Sequence, residues 1–229
     1  MHISSPTVRW TVVVALVLAA LTTVVSVLLM PDFSGTHADW LTAIAAGPAA
    51  ATASSHLFTV SQLFVAVGVV GVAAQIYRRA PRLTFLAALL VVLEAFGHAV
   101  HGGLSATMVE MAADPANADT YAALLEGVES PTGLLPYMAL GLLGAVVGLI
   151  LLGVALLRAG YGPRWLGVTL IAFVVVEFGL SGISMWATYL SGALFLVAFL
   201  AMAALTARGS DGGARRPATA STAAEVGSK

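Results

Sequence analysis

The chain has 229 residues, of which 59% are hydrophobic and only 9% are charged, and its formal net charge is −1. Soluble domains carry roughly 25% charged residues, so this composition excludes a water-soluble globular protein and makes lipid the solvent for most of the chain. The sequence contains no cysteine and its one lysine is Lys229, which excludes disulfides, thiolate metal sites, iron–sulfur clusters, a retinal Schiff base and a P-loop lysine.

Six apolar segments follow one another along the chain, and each is long enough to cross a bilayer as a helix. The first exceeds the roughly 7–15 residues of a signal-peptide core, so we expect it to be retained. The last two belong to one long apolar stretch, which we divide near Trp186 and Tyr189 because aromatic residues collect at membrane interfaces. The predicted spans are 10–30, 57–77, 83–103, 134–157, 165–183 and 187–206.

Basic and acidic residues fall on opposite sides of this six-span arrangement. Every arginine and the lysine lie in one set of loops or at the termini, whereas the other loops carry acidic residues without any basic one. Because cytoplasmic loops collect Lys and Arg, we expect a multi-pass plasma-membrane protein with both termini in the cytoplasm. Residues 207–229 are expected to form a disordered cytoplasmic tail. We expect short interfacial helices at 37–46 and 117–128 in the outer loops.

Residues 78–97 and 158–179 share a pattern. Each stretch contains a basic turn with a Pro-Arg pair, followed by an apolar helix with one acidic residue, Glu94 in the first and Glu177 in the second. We therefore predict an all-α membrane fold in which helices 2–3 and 4–5 are duplicated hairpins of the same orientation. Convergence is the alternative, because apolar helices flanked by arginine resemble one another by composition.

Polar residues interrupt the third and fifth predicted spans. Glu94, His98 and His101 stand at i, i+4 and i+7 and therefore share one helical face. Ser181 follows Glu177 at the offset at which His98 follows Glu94. A carboxylate at this depth costs about 2.5–3.5 kcal/mol on insertion scales, so we expect both carboxylates to face protein or trapped water.

Three hypotheses explain this polar face. The first is a site for a proton or a small ligand at Glu94, Glu177, His98 and Ser181, because ionisable residues within a membrane are functional candidates. The second is a metal or haem site, with His98, His101 and His56 as ligands, since imidazole binds zinc, copper and iron. The third is structural, with polar side chains that hydrogen-bond between helices, as in an accessory subunit of a membrane complex.

The sequence favours the first hypothesis in the form of a non-enzymatic module, and it leaves the cofactor unknown. An enzyme with Glu94 as proton donor and His98 as base stays open, although no spacing demands it. No basic, aromatic surface for nucleic acid is present, so the partner that the sequence specifies is the lipid bilayer. A membrane-protein partner and a homo-oligomer are both left open. The small-residue pattern from Gly144 to Gly148 is expected to allow close helix packing within the chain.

The stretch 151–173, LLGVALLRAGYGPRWLGVTLIAF, resembles a turn found in a broad family of uncharacterised bacterial multi-span membrane proteins. In that family a helix ends in R/K-x-G-x-x-P-R/K and another apolar helix follows. Arg158, Gly160, Pro163 and Arg164 match this pattern. The resemblance is confined to this stretch. It implies a six-helix membrane fold with long outer loops, and it assigns no activity, cofactor or site residue.

Overall fold

The structure, a computed structural model, describes residues 5–181 and 184–209, and within these residues it is helical without β-strands. The start of the predicted tail is helical, because α9 continues to Arg208, while the rest of the tail and the end of the fifth predicted span lie outside the described residues. A 3₁₀ turn (Pro115–Asn117) precedes α5, and a π-helical segment (Gly144–Gly148) joins α6 to α7. The α-helices are α1 (Pro6–Leu29), α2 (His37–Ala46), α3 (Pro48–Ile76), α4 (Pro81–Ala112), α5 (Ala118–Val128), α6 (Leu135–Leu143), α7 (Leu149–Ala159), α8 (Arg164–Leu180) and α9 (Met185–Arg208).

Five helices of the described chain are long and apolar enough to cross a membrane. They are α1, α3, α4, α9 and the continuous α6–α7 helix, Leu135–Ala159. Helix α8 has 17 residues and is shorter than these five. The protein is therefore an all-helical, membrane-embedded protein.

Helices α3 and α4 extend beyond the apolar segments from which they were predicted. Helix α3 begins at Pro48 rather than near residue 57, and α4 continues to Ala112 rather than ending near residue 103. The α4 extension packs against the outer-loop helices α2 and α5, and Ala51 of the α3 extension belongs to the apolar cluster that these helices form with α4. The expectation that these loops contain short helices is confirmed. Because protein rather than lipid covers the extensions, their sequence need not be uniformly apolar. The apolar cluster there comprises Leu41, Ile44, Ala51, Leu104, Met108, Ala112 and Leu125.

Glycines bring α4 and the α6–α7 helix into close, antiparallel contact. A Cβ atom added at Gly141 would lie 3.1 Å from the backbone of Gly97, and one added at Gly148 would lie 3.1 Å from the backbone nitrogen of Val91. Between them, a Cβ added at Gly144 would also meet the α4 backbone. Later glycines of the α6–α7 helix contact earlier residues of α4, so the two helices run in opposite directions. The expectation of close packing within the chain at 144–148 is confirmed.

The π-helical segment Gly144–Gly148 lies in this contact, opposite the part of α4 that carries Glu94. A π turn contains more residues than an α-helical turn, so it changes which side chains face the neighbouring helix. Here it places two glycines against α4, where a larger residue would meet the α4 backbone.

Polar side chains join three helices at the end of the bundle that contains the arginine-bearing turns. The Tyr161 hydroxyl donates to Oε1 of Gln75 (3.2 Å) and lies 2.9 Å from the Thr206 hydroxyl. The Arg79 guanidinium donates to the backbone carbonyl of Ala159 (2.9 Å). The C-terminal ends of α3, α7 and α9 therefore lie together, and α8 runs antiparallel to both α7 and α9.

The first testable prediction concerns the close approach of α4 and α6. Gly97→Ala should destabilise the protein by about 1–3 kcal/mol, since the new methyl group would lie 2.5 Å from the backbone of Gly141. Gly103→Ala is the matched control on the same helix, because no atom lies within 4 Å of the added carbon. Thermal unfolding in detergent measures both variants, and equal unfolding temperatures would contradict the glycine contact.

The second prediction concerns the polar network at the arginine-bearing end. Tyr161→Phe should lower stability by about 1 kcal/mol, because it removes a hydrogen-bond partner from the buried Thr206 hydroxyl and from the partly buried Gln75 side chain, which keep only their bond to each other in this network. Tyr77→Phe removes a hydroxyl from a side chain that is 49% exposed and should have little effect. Titration with a denaturing detergent measures the free energy of unfolding of both variants. A Tyr161→Phe variant as stable as the unmodified protein would show that the network contributes little to stability.

Candidate functional site

A cavity of about 140 Å³ lies at the end of the bundle opposite the arginine-bearing turns. Residues from α1, α3, α4, α8 and α9 line it, and Phe33 together with Ile44 of α2 lines it as well. Its wall combines apolar side chains with polar groups from α1, α3, α4, α8 and α9. The polar residues are Ser26 of α1, Ser54 and Ser55 of α3, His101 and Ser105 of α4, Glu177 of α8 and Thr188 of α9.

The serine hydroxyls of the cavity donate their hydrogens to backbone carbonyls. Ser26, Ser55 and Ser105 each donate to a carbonyl one turn earlier in their own helix, at 2.8, 3.0 and 3.1 Å. Ser54 donates to the Ser26 carbonyl across the α1–α3 contact, at 2.8 Å. A hydroxyl that has donated its hydrogen can only accept further hydrogen bonds. These four oxygens are therefore acceptors for anything in the cavity.

Glu177 supplies a carboxylate to the cavity wall. Its Oε2 accepts a hydrogen bond from the hydroxyl of Ser191 on α9, and that hydroxyl also lies 2.8 Å from the Thr188 carbonyl. This contact ties α8 to α9 and holds the carboxylate in place. Ser181, which the sequence placed with Glu177, instead donates its hydroxyl to the backbone carbonyl of Glu177 and is not part of the cavity wall.

His101 brings an imidazole to the same cavity from the opposite side of the bundle. Within the described residues, its Nδ1 atom is buried without a hydrogen-bond partner. The ring of Phe58 packs edge-on against it, with the ring centroids 6.2 Å apart, and also lies 5.6 Å from the His98 ring. Phe58 therefore separates His98 from the space that His101 reaches.

Glu94 and His98 form a separate pair outside the cavity wall. Nδ1 of His98 lies 3.8 Å from Oε1 of Glu94, and Glu94 is only 5% exposed. The other carboxylate oxygen, Oε2, is buried without a hydrogen-bond partner among the described residues. The predicted ligand site of Glu94, Glu177, His98 and Ser181 is thus divided, because the structure brings Glu177 together with His101 instead.

The three histidines predicted as metal ligands do not gather at one point. His56 is exposed on α3, whereas His98 and His101 are partly buried on α4. Residues 5–181 and 184–209 contain no group of three or more His, Asp or Glu side chains placed to hold a metal ion. The physical reason is the rotation of α3 about its axis, which turns Phe58 towards α4 and His56 away from it.

Helix α2 and the segment before it cover the cavity. His37 makes an ion-pair contact with Glu129 (3.1 Å), which joins the start of α2 to the end of α5. Thr36 and Asp39 form a capping box at the start of α2. Hydrogen bonds from the backbone and the side chain of Thr36 lower the pKa of the Asp39 carboxyl group. These contacts hold Ile44 over the cavity, so the outer loop is part of the site.

Known protein families, curated proteins and solved structures contain no match to this chain. A functional assignment therefore depends on the two polar features described above, the cavity beside Glu177 and His101 and the pair of Glu94 with His98.

The third prediction tests whether Glu94 is needed for packing. Glu94→Met should leave the unfolding temperature unchanged or raise it, because an apolar side chain replaces a buried carboxylate whose Oε2 has no partner in the described chain. Glu94→Gln, which keeps the shape and the polarity, is the matched control. Thermal unfolding in detergent measures both variants. A marked loss of stability in Glu94→Met but not in Glu94→Gln would instead make this side chain a structural hydrogen-bonding group.

Proposed function

We propose that the protein is a non-enzymatic membrane protein that binds a small molecule in the cavity beside Glu177 and His101. The observation that supports this function is a space of about 140 Å³ to which α1, α3, α4, α8 and α9 each contribute a polar side chain. Polar groups buried in an apolar bundle are costly unless they find hydrogen-bond partners. Nδ1 of His101 has no such partner in the described chain, and the serine oxygens keep lone pairs that can accept a further hydrogen bond. A ligand that hydrogen-bonds to these groups gives a reason for placing so many polar side chains around one space.

The size and the wall of the cavity favour binding over catalysis. An engineered cavity of about 150 Å³ in another protein holds one benzene molecule, so this cavity accommodates a ligand of similar size. Glu177 is engaged by Ser191, and His101 has no hydrogen-bonded acid, base or nucleophile beside it in the described chain. Ser191 is not among the described residues that line the cavity, so its hydroxyl, although linked to Glu177, is not presented to a bound molecule as a nucleophile would be.

The proposal includes six membrane crossings, with α8 as the fifth and α9 as the sixth, and both termini in the cytoplasm of a plasma-membrane protein. Helix α8, with 17 residues, has a length of about 25 Å, close to the thickness of the hydrocarbon core. Its antiparallel packing against α7 and α9 supports a crossing of its own. Six crossings also keep every basic residue on one side, as the preference of Lys and Arg for cytoplasmic loops requires.

We also propose that the hairpins α3–α4 and α7–α8 arose by duplication and that the second turn is the one shared with the multi-span family. The bond from Arg79 to Ala159 supports an equivalent position for the two turns, because it joins one turn to the other. The left-handed backbone of Gly160 (φ 60°) supports the turn pattern, because this conformation favours glycine.

The fourth prediction tests occupancy of the cavity. Saturation-transfer NMR with the protein in phosphatidylcholine nanodiscs should detect binding of at least one of three four-carbon probes, n-butylammonium, 1-butanol and n-butyrate. Ser105→Phe should abolish this signal, because Ser105 lines the cavity and the larger ring occupies the space. The three probes share one body and differ in the charge and hydrogen bonding of the head group.

Thr107→Phe is the control for this experiment. Thr107 is exposed on the same helix, and its hydroxyl, like that of Ser105, donates to a carbonyl one turn earlier (3.0 Å). The Thr107→Phe variant should bind the probes as the unmodified protein does. Probe signals no larger than those of empty nanodiscs, or equal signals in Ser105→Phe and Thr107→Phe, would overturn the proposed function.

A further inference from the structure

We propose that the ligand of this cavity is a small organic ammonium cation, which is bound through its N–H groups and charge at Glu177 and through its apolar body at the aromatic wall. This inference rests on the proposed function and names the class of molecule that the site takes. It follows from three features of the wall: its hydrogen-bonding character, its charge and its aromatic side chains.

The hydrogen-bonding groups of the wall are mostly acceptors. The hydroxyls of Ser26, Ser54, Ser55 and Ser105 each donate their hydrogen to a backbone carbonyl, so in this arrangement they offer lone pairs to a ligand that donates. When it is ionised, the carboxylate of Glu177 also accepts only. The remaining donors on the wall are the Thr188 hydroxyl and one nitrogen of His101. A ligand rich in N–H groups fits this wall better than one rich in carbonyl or carboxylate oxygens.

Glu177 makes the wall negative when its carboxyl group is ionised, and no described residue of the wall supplies a positive countercharge. No arginine or lysine is among the described residues that line the cavity, and the group that bonds to the Glu177 carboxylate is the neutral hydroxyl of Ser191. The arginines of residues 5–181 and 184–209 lie at the opposite end of the bundle. Taking an ionised carboxylate out of water is unfavourable unless a cation or several hydrogen bonds compensate. A cationic ligand would supply both the charge and the hydrogen bonds.

Aromatic and aliphatic side chains complete the wall and select an organic cation. Phe33 and Phe58 both line the cavity, and an aromatic ring attracts a cation held over its face. Val27, Ile44 and Val109 offer no oxygen ligand to a hydrated inorganic ion, which needs six or more oxygens in the case of calcium. An alkylammonium ion places its apolar body against these side chains while its nitrogen reaches Glu177.

The fifth prediction compares the dissociation constants of the same three probes in phosphatidylcholine nanodiscs. The unmodified protein should bind n-butylammonium about tenfold or more tightly than 1-butanol, because a hydrogen bond to a charged group is stronger than a neutral one. It should bind n-butyrate most weakly, since two carboxylates repel each other. This comparison needs no mutation, so it does not depend on the folding of a variant.

Glu177→Gln should weaken n-butylammonium binding by about tenfold or more and leave 1-butanol binding nearly unchanged. Glu126→Gln removes one charge from an exposed position on α5 and should change neither constant. Glu177→Asp, which keeps the charge, should retain the preference for the cation. Size-exclusion profiles confirm that each variant is folded before titration.

The outcomes separate this inference from the proposed function. Binding of 1-butanol or n-butyrate as tight as that of n-butylammonium, with loss of binding in Ser105→Phe, would overturn the ammonium ligand and leave the binding site intact. An n-butylammonium affinity that is equal in Glu177→Gln and in the unmodified protein would overturn it as well. Absence of any probe signal above empty nanodiscs would overturn both.

Discussion

The structure depends on one constraint, which is that polar groups within a bilayer must find their hydrogen-bond partners inside the protein. Helices meet this constraint for the backbone, and many of the serine and threonine hydroxyls in the described chain meet it by donating to carbonyls of the same helix. Thr11, Thr22 and Thr59 do so at 3.0, 2.6 and 2.8 Å. The same bonds at Ser26, Ser55 and Ser105 turn their oxygens into acceptors, so the chemistry of the cavity wall is a consequence of the way in which the helices satisfy their own side chains.

Close packing decides which polar residues of α4 belong together. Glu94 and His98 lie where α4 is pressed against the glycines of the α6–α7 helix, and neither lines the cavity. His101 lies about 4.5 Å further along the helix axis than His98, and there it reaches the cavity. One face of α4 therefore carries two different environments, a tightly packed acid–imidazole pair and a cavity wall, with Phe58 of α3 in contact with both imidazoles.

The helical class and most of the helices could be predicted from the sequence, because apolar length and charge segregation are strong signals. The rotation of each helix could not, since α3 is apolar on nearly every side and offers no polar face to orient it. His56 was therefore expected with His98 and His101 and is exposed instead. The placement of Glu177 and His101 on the wall of one cavity was also not predicted, because α8 and α4 are not neighbours in the chain. The contact of Tyr161 with Gln75 and Thr206 joins residues up to 131 positions apart and has no local pattern.

The π-helical segment Gly144–Gly148 sets the rotation of Leu135–Leu143 relative to Leu149–Ala159 about their common helix axis. Each residue of an α-helix turns the chain by on the order of 100°, so the additional residue of a π turn rotates everything before it relative to everything after it. Leu149–Ala159 can then match the surface of α8 while Leu135–Leu143 matches that of α4. One continuous helix therefore packs against two neighbouring helices that have different orientations. Deletion of one residue from the segment would rotate Gly141 away from Gly97 and place a bulkier side chain there.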